Sequence, residues 1–82
     1  MIRKNKNKLT VGAIYDCKKG GIRRLDKITD DYLYFSVIIG MKYDKLHWKA
    51  LGKLSRKIAE KQFVEGRILQ EEYIVRMYGE DR

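Results

Sequence analysis

Apolar and polar residues alternate along much of the first half of the chain, which is the pattern of half-buried β-strands. A first strand is predicted over Leu9 to Cys17, where every second residue is apolar and Ile14 is the exception. A second strand is predicted over Ile22 to Thr29. The clearest strand is Tyr32 to Ile39, with Leu33, Phe35, Val37 and Ile39 on one face and Tyr32, Tyr34, Ser36 and Ile38 on the other.

The first hairpin turns at two glycines, and its loop length decides which residues pair. We favour a three-residue loop, Lys19-Gly20-Gly21, over a two-residue turn, because the longer loop places Tyr15 opposite Leu25. Ile22 and Leu25 are out of phase in a period of two. The second strand is therefore predicted to contain a β-bulge near Leu25.

The second hairpin turns at Asp30-Asp31, which are typical turn residues. A two-residue turn at this point pairs Ile28 with Leu33 and Ile22 with Ile39. Both pairs are apolar on both strands, which favours this register.

Residues 45–65 fit two interpretations. Apolar residues alternate as far as Leu51, as in a strand, but lysines recur every four residues, as on one face of a single long helix. We favour a strand to about Leu51 and then a helix from Ser55 to Val64. Ser55 is a good N-cap residue, and Gly66 is a good residue to end the helix.

The C-terminal segment has helical spacing from Leu69 onward, and Gly79 is expected to end that helix. Several strands followed by helices predict an α+β domain. The predicted architecture is a small, strongly bent antiparallel sheet or an SH3-like open β-barrel of three to five short strands, capped by one or two C-terminal helices. This arrangement resembles the SH3-like class in fold alone, and a fold does not specify a function. The predicted organisation is a flexible basic arm over 1–8, one domain over 9–79 and a frayed tail over 80–82.

The composition is that of one small domain. The chain has 82 residues, of which 44% are hydrophobic and 37% charged, too apolar for a disordered tail and too charged for a membrane span. The longest apolar stretch, Tyr32 to Met41, is half of the roughly 20 residues that a membrane helix needs. We therefore expect no membrane partner. One cysteine, Cys17, allows no intramolecular disulfide and suits a reducing cytoplasm.

Positive charge is concentrated in the first two thirds of the chain. Residues 1–57 carry 15 basic and 5 acidic side chains, whereas residues 58–82 carry 4 basic and 6 acidic ones. The formal net charge is +8. This asymmetry favours a polyanionic partner, DNA or RNA. The alternative is that a lysine-rich surface only keeps the protein in solution.

Two groups of cations are candidates for phosphate contacts. The first surrounds the glycine pair of the first hairpin, where the backbone can approach a phosphate closely. The second lies around the predicted helix N-terminus at Ser55, a position that favours anions. Tyr34, opposite Lys27, is the best candidate for stacking on a base. The predicted nucleic-acid-binding residues are Lys18, Lys19, Arg23, Arg24, Tyr34, Lys49, Lys53, Arg56 and Lys57.

The residues do not suggest catalysis. The carboxylates are spread over strands and turns, and Cys17 and His47 are too few to bind zinc from this chain alone. We expect no enzyme, no catalytic residues, no cofactor, no metal and no small-molecule substrate. The leading hypothesis is a small nucleic-acid-binding module with mainly electrostatic, weakly sequence-specific phosphate contacts.

The alternative hypothesis is a non-enzymatic protein-interaction module. It would be an adaptor or inhibitor that docks on a larger acidic or nucleic-acid-processing partner, or a homodimer. The docking surface would be the second, aromatic face of the third strand, with Tyr32, Tyr34 and Ile38.

Overall fold

The computed structural model describes residues 9–80, so the predicted arm over 1–8 and the last two residues lie outside the described part. The chain forms an α+β domain with a five-stranded antiparallel sheet, which is not closed, and two helices. This confirms the predicted fold class, while the finer resemblance to SH3-like barrels stays a prediction. The elements are β1 (Ile14–Asp16), β2 (Ile22–Ile28), β3 (Tyr32–Lys42), β4 (Lys45–Ser55), α1 (Arg56–Glu65), β5 (Arg67–Leu69) and α2 (Glu71–Glu80).

The strands lie in the order β4-β3-β2-β1-β5, so the first four form a meander and the fifth returns beside the first. β5 was missed in the sequence, where Leu69 was expected to begin a helix. Its three residues pair with β1, with Leu69 opposite Ile14 and Arg67 opposite Asp16. A strand this short carries too few residues to show a period of two, and only its pairing with β1 defines it.

The helix α1 covers one face of the sheet. Its buried residues, Ala59 and Phe63, join a core cluster with side chains from three strands. The Tyr15 and Phe63 rings meet edge to face, with their centroids 5.4 Å apart. Such a geometry adds about 0.5–1.5 kcal/mol to the free energy gained from burying the rings.

The helix α2 packs on the other face. Its fully buried Ile74 joins a second cluster with Ile14, Leu46 and Leu69. Ile14 was the exception to the alternation of the first strand, and α2 is the element that covers it. This helix continues through Gly79 to Glu80, so Gly79 does not end it as predicted. Neither helix in residues 9–80 has the length and apolar character needed to cross a membrane.

The first predicted strand is too long. The chain turns at Gly12, whose φ is 94°, and the Ala13 amide donates a hydrogen bond to the Thr10 carbonyl. Gly12 also donates its amide hydrogen to the Leu25 carbonyl at 2.7 Å, outside the regular ladder. The local turn therefore leaves only Ile14–Asp16 in β1.

The predicted loop of the first hairpin is also wrong, since Tyr15 pairs with Arg23 instead of Leu25. The chain forms a short 3₁₀ turn over Lys18–Gly20, and the Cys17 amide donates to the Gly21 carbonyl at 2.9 Å. The difference in register is two residues. Because an even offset leaves side chains on the same face, Tyr15 and Leu25 still share the core.

The second hairpin confirms part of the prediction. Ile28 pairs with Leu33, and the register shifts between Leu25 and Lys27, where the bulge was expected. That bulge advances the pairing by one residue and places Arg23 opposite Val37. The expected pair of Ile22 and Ile39 is therefore wrong.

The strand interpretation of residues 45–65 is confirmed in outline. β4 continues as far as Ser55, beyond the predicted end at Leu51, because it pairs along nearly the whole of β3. The helix α1 follows directly, with Ser55 at the N-cap position and Gly66 at the C-cap.

Candidate nucleic-acid interface

Three cations lie over three aromatic rings on one face of the sheet. The Lys53 Nζ atom is 4.1 Å from the centroid of Tyr32, and the Lys27 Nζ atom is 5.4 Å from that of Tyr34. The guanidinium carbon of a third cation is 4.8 Å from the centroid of a third ring. We call this set the aromatic–cation surface: Arg24 and Lys27 from β2, Tyr32 and Tyr34 from β3, and Trp48 and Lys53 from β4.

Strand register explains why these side chains meet. Residues directly opposite each other in an antiparallel pair point to the same face. Tyr34 is opposite Lys27 on one side and Lys53 on the other, so a ring of β3 lies between two lysines. The pairing of Lys27 with Tyr34 was predicted from the sequence and is confirmed.

Arg24 is held in place by its neighbours. Its Nε atom is 3.0 Å from the Oδ1 atom of Asp26, and its guanidinium lies over Trp48. The other oxygen of that carboxylate accepts a hydrogen bond from the Ser36 hydroxyl, and Ser36 is buried. A charge-assisted pair of this kind restricts the arginine far more than a solvated lysine is restricted.

The surface is open to solvent over its outer part. Lys27 and Lys53 are exposed, 38% of Tyr32 is exposed, and Tyr34 is half-buried. The helix α1 packs on the opposite face, and the buried residue of α2 packs near β1, β5 and the start of β4. Three cations and one carboxylate leave the surface positively charged.

Arg23 points to the other face from Arg24, as neighbours in a strand do. Its guanidinium lies 4.7 Å from the centroid of Phe35 in the α1 core, and its Nη1 atom donates to the Gln62 Oε1 atom at 3.3 Å. Lys18 and Lys19 are exposed in the 3₁₀ turn, beside residues of α1. Three of the four predicted hairpin cations therefore lie away from the aromatic–cation surface.

The predicted cations near the α1 N-terminus also do not form one group in the structure. Lys49 is exposed and lies opposite Val37, on the face that α1 covers. Arg56 donates through Nη1 to the Thr29 carbonyl at 3.0 Å and pairs with Glu60, so it fastens α1 to the second hairpin. Lys57 is exposed in the first turn of α1.

The structure thus brings together three predicted residues, Arg24, Tyr34 and Lys53, and adds Lys27, Tyr32 and Trp48. The alternation of β3 already placed Tyr32 on the same face as Tyr34, so the sequence pattern contained enough information to include Tyr32 in the surface. Trp48 is half-buried beneath Arg24 at the edge of the second cluster.

Cys17 is a buried free thiol in the α1 core. Burial raises the pKa of Cys17 above its ordinary value of 9.0, although the charge of Arg23 acts in the opposite direction. Within residues 9–80, no three histidine, cysteine, aspartate or glutamate side chains converge in an arrangement that could hold a metal ion.

Comparisons with protein-family models, curated proteins and solved structures return no significant match to this chain.

Proposed function

We propose that this protein is a small nucleic-acid-binding module with mainly electrostatic, weakly sequence-specific contacts, and that the aromatic–cation surface is its binding surface. The observation that supports the proposal is the placement of three cations over three rings on an open sheet face. Proteins that bind nucleic acids without strong sequence preference combine these two features, positive charge for the backbone and rings for the bases.

The cations of this surface are suited to phosphates. Lys27 and Lys53 are exposed, and each has a flexible ammonium group that is not held by a carboxylate in the described ion pairs. They can therefore turn toward a phosphate at little cost. Arg24 contributes a fixed charge, partly offset by Asp26.

The binding test uses fluorescence anisotropy of labelled single-stranded DNA, duplex DNA and RNA at 50 and 200 mM salt, with Trp48 fluorescence as a second signal. We expect binding that weakens steeply with salt, since cations at phosphates release counterions. The Lys27→Gln/Lys53→Gln double variant is expected to lower the log–log salt slope by about 1.4–1.8, that is 0.7–0.9 for each lost contact.

The matched control is Lys19→Gln/Lys49→Gln, which removes the same charge from exposed lysines on the side of the sheet that α1 covers. If both double variants weaken binding equally, the binding is a diffuse response to net charge and the proposed surface is wrong. If no oligonucleotide binds at 50 mM salt, the nucleic-acid proposal is wrong.

A second candidate function is docking on an acidic protein partner, or on a second copy of the chain. The observation that favours it is the exposure of large apolar side chains in the β3–β4 hairpin, where Ile39 is 62% and Tyr43 is 85% exposed. Sedimentation of the protein over a range of concentrations tests self-association. A hairpin variant, Ile39→Ser/Tyr43→Ser, that prevents dimerisation would support this alternative.

A further inference from the structure

The two tyrosines of the aromatic–cation surface are covered by side chains that can be displaced. The lysines over Tyr32 and Tyr34 are both exposed, and an exposed cation–ring contact is worth a factor of about two to five in an equilibrium constant. A base stacked on an aromatic ring is worth a factor of about five to 150. A base can therefore replace the ammonium group on each ring.

The displaced lysines have a second use in such a complex. An ammonium group displaced from a ring would remain within reach of the phosphates of the strand whose base replaces it. In this exchange the positive charges remain at the surface, and each ring contacts a base in place of an ammonium group. Lys27 and Lys53 lie over the rings in the free protein and would contact phosphates in the complex.

Arg24 behaves differently because Asp26 and the buried Ser36 hold it over Trp48. Its guanidinium remains a flat, fixed cation when the ligand binds. Bases also stack on arginine planes, so Arg24 extends the row of the two tyrosines.

The spacing of the tyrosines discriminates between ligands. Tyr32 and Tyr34 are two residues apart on one strand, so their positions are about 6.6–6.8 Å apart. Bases along one strand of a duplex are only about 3.4 Å apart, and their faces are covered by their neighbours. Only an unpaired, extended strand can spread two bases over both rings.

From this geometry we infer that the ligand is single-stranded nucleic acid, bound with two bases on Tyr32 and Tyr34. The inference rests on the proposed function. It adds base stacking to the phosphate contacts, and stacking is tolerant of sequence because every base has a flat face.

The experiment compares three ligands of equal length: a single strand, the duplex that contains it, and an abasic strand that has the phosphates without the bases. We expect the wild-type protein to bind the single strand at least ten-fold more tightly than either of the others at 200 mM salt. This comparison needs no variant, so it does not depend on how a substitution affects folding.

The variant Tyr32→Leu/Tyr34→Leu keeps apolar bulk and removes both rings. We expect it to bind the single strand at least 25-fold more weakly, from two factors of about five or more. Its affinity for the abasic strand and its salt slope are expected to remain unchanged. Tyr43→Leu is the control, since this tyrosine is 85% exposed in the β3–β4 turn and lies outside the surface.

The two proposals fail in different ways. Equal affinity for the three ligands, together with the salt response expected of Lys27 and Lys53, would overturn the stacking inference and leave the electrostatic module in place. Absence of binding to all three ligands at 50 mM salt would overturn both.

Discussion

A methyl group added at Gly66 is expected to destabilise the fold, although alanine is ordinarily the better residue. Gly66 is buried between α1 and β5. A Cβ atom built there lies 2.6 Å from the Asp16 carbonyl oxygen and 3.0 Å from that of Gln62. The φ of Gly66 is −75°, which any residue adopts, so the penalty comes from the contact and not from the backbone conformation.

The size of the effect follows from these distances. The closest ordinary approach of carbon to a carbonyl oxygen is about 3.3 Å, so the two backbones must separate by roughly 0.7 Å. Asp16 is paired with Arg67, the residue after Gly66, and the movement would strain the β1–β5 ladder. Such overpacking costs about 1–3 kcal/mol, from which about 0.4–1 kcal/mol is recovered because alanine restricts the unfolded chain.

The net loss therefore lies between about 0 and 2.6 kcal/mol, and we expect Gly66→Ala to lower the free energy of unfolding by about 1–2 kcal/mol, near the middle of that range. Thermal unfolding would shift down by about 4–16 °C for a domain of this size. Gly79→Ala is the matched control, because a Cβ atom there meets nothing within 4 Å and the position is helical. It is expected to leave the protein equally stable or up to about 1 kcal/mol more stable.

Urea unfolding, followed by circular dichroism, measures both variants. With a slope of about 1 kcal/mol/M, the midpoint of Gly66→Ala falls by about 1–2 M. A Gly66→Ala protein as stable as Gly79→Ala would refute the close approach of β1 to the α1–β5 junction.

Two further predictions concern buried polar groups. Ser36→Ala removes the hydroxyl that donates to Asp26, and we expect it to lower the free energy of unfolding, measured in urea, by about 1–3 kcal/mol. Ser55→Ala is the control, because the Ser55 hydroxyl makes no capping hydrogen bond. It is expected to change the free energy of unfolding by less than about 0.5 kcal/mol. Equal costs for the two serines would contradict the role of Ser36. Because burial raises the pKa of Cys17, the unfolded chain releases the thiol proton at lower pH than the native protein, so stability falls as the pH rises through 9.0 and above. Between pH 8 and pH 10 the wild-type protein is expected to lose more stability than Cys17→Ala, and an identical loss in both proteins would show that the native thiol is not protected.

Local patterns determined much of the fold. The alternation along β3, the bulge after Leu25 and the turn at Asp30-Asp31 each depend on neighbouring residues. The structure confirms the bulge, the turn and the alternation as far as Ile38, after which a register shift leaves Ile39 exposed. The start of α1 was also predicted within one residue, whereas the strand before it continues four residues beyond its predicted end at Leu51. These features follow from side-chain periodicity and turn chemistry, which a sequence displays directly.

The candidate surface could be predicted only in part. The sequence indicated Arg24, Tyr34 and Lys53, and it placed Tyr34 opposite Lys27, but it grouped Arg24 with Arg23 as cations of the first hairpin. In a strand, neighbours face opposite sides, so Arg23 enters the α1 core while Arg24 lies over Trp48. Which of the two faces the helix would cover could not be read from either residue.

The sequence by itself therefore determined the strands of the meander, the basic character of the chain and the aromatic face of β3. Only the tertiary structure decided the pairing of β5 with β1, the 3₁₀ turn of the first hairpin and the allocation of each cation to one face. These features depend on contacts between residues far apart in the chain, such as Gly66 against Asp16 and Lys53 over Tyr32. The free energy of such contacts depends on packing in three dimensions, and no local pattern of residues encodes it.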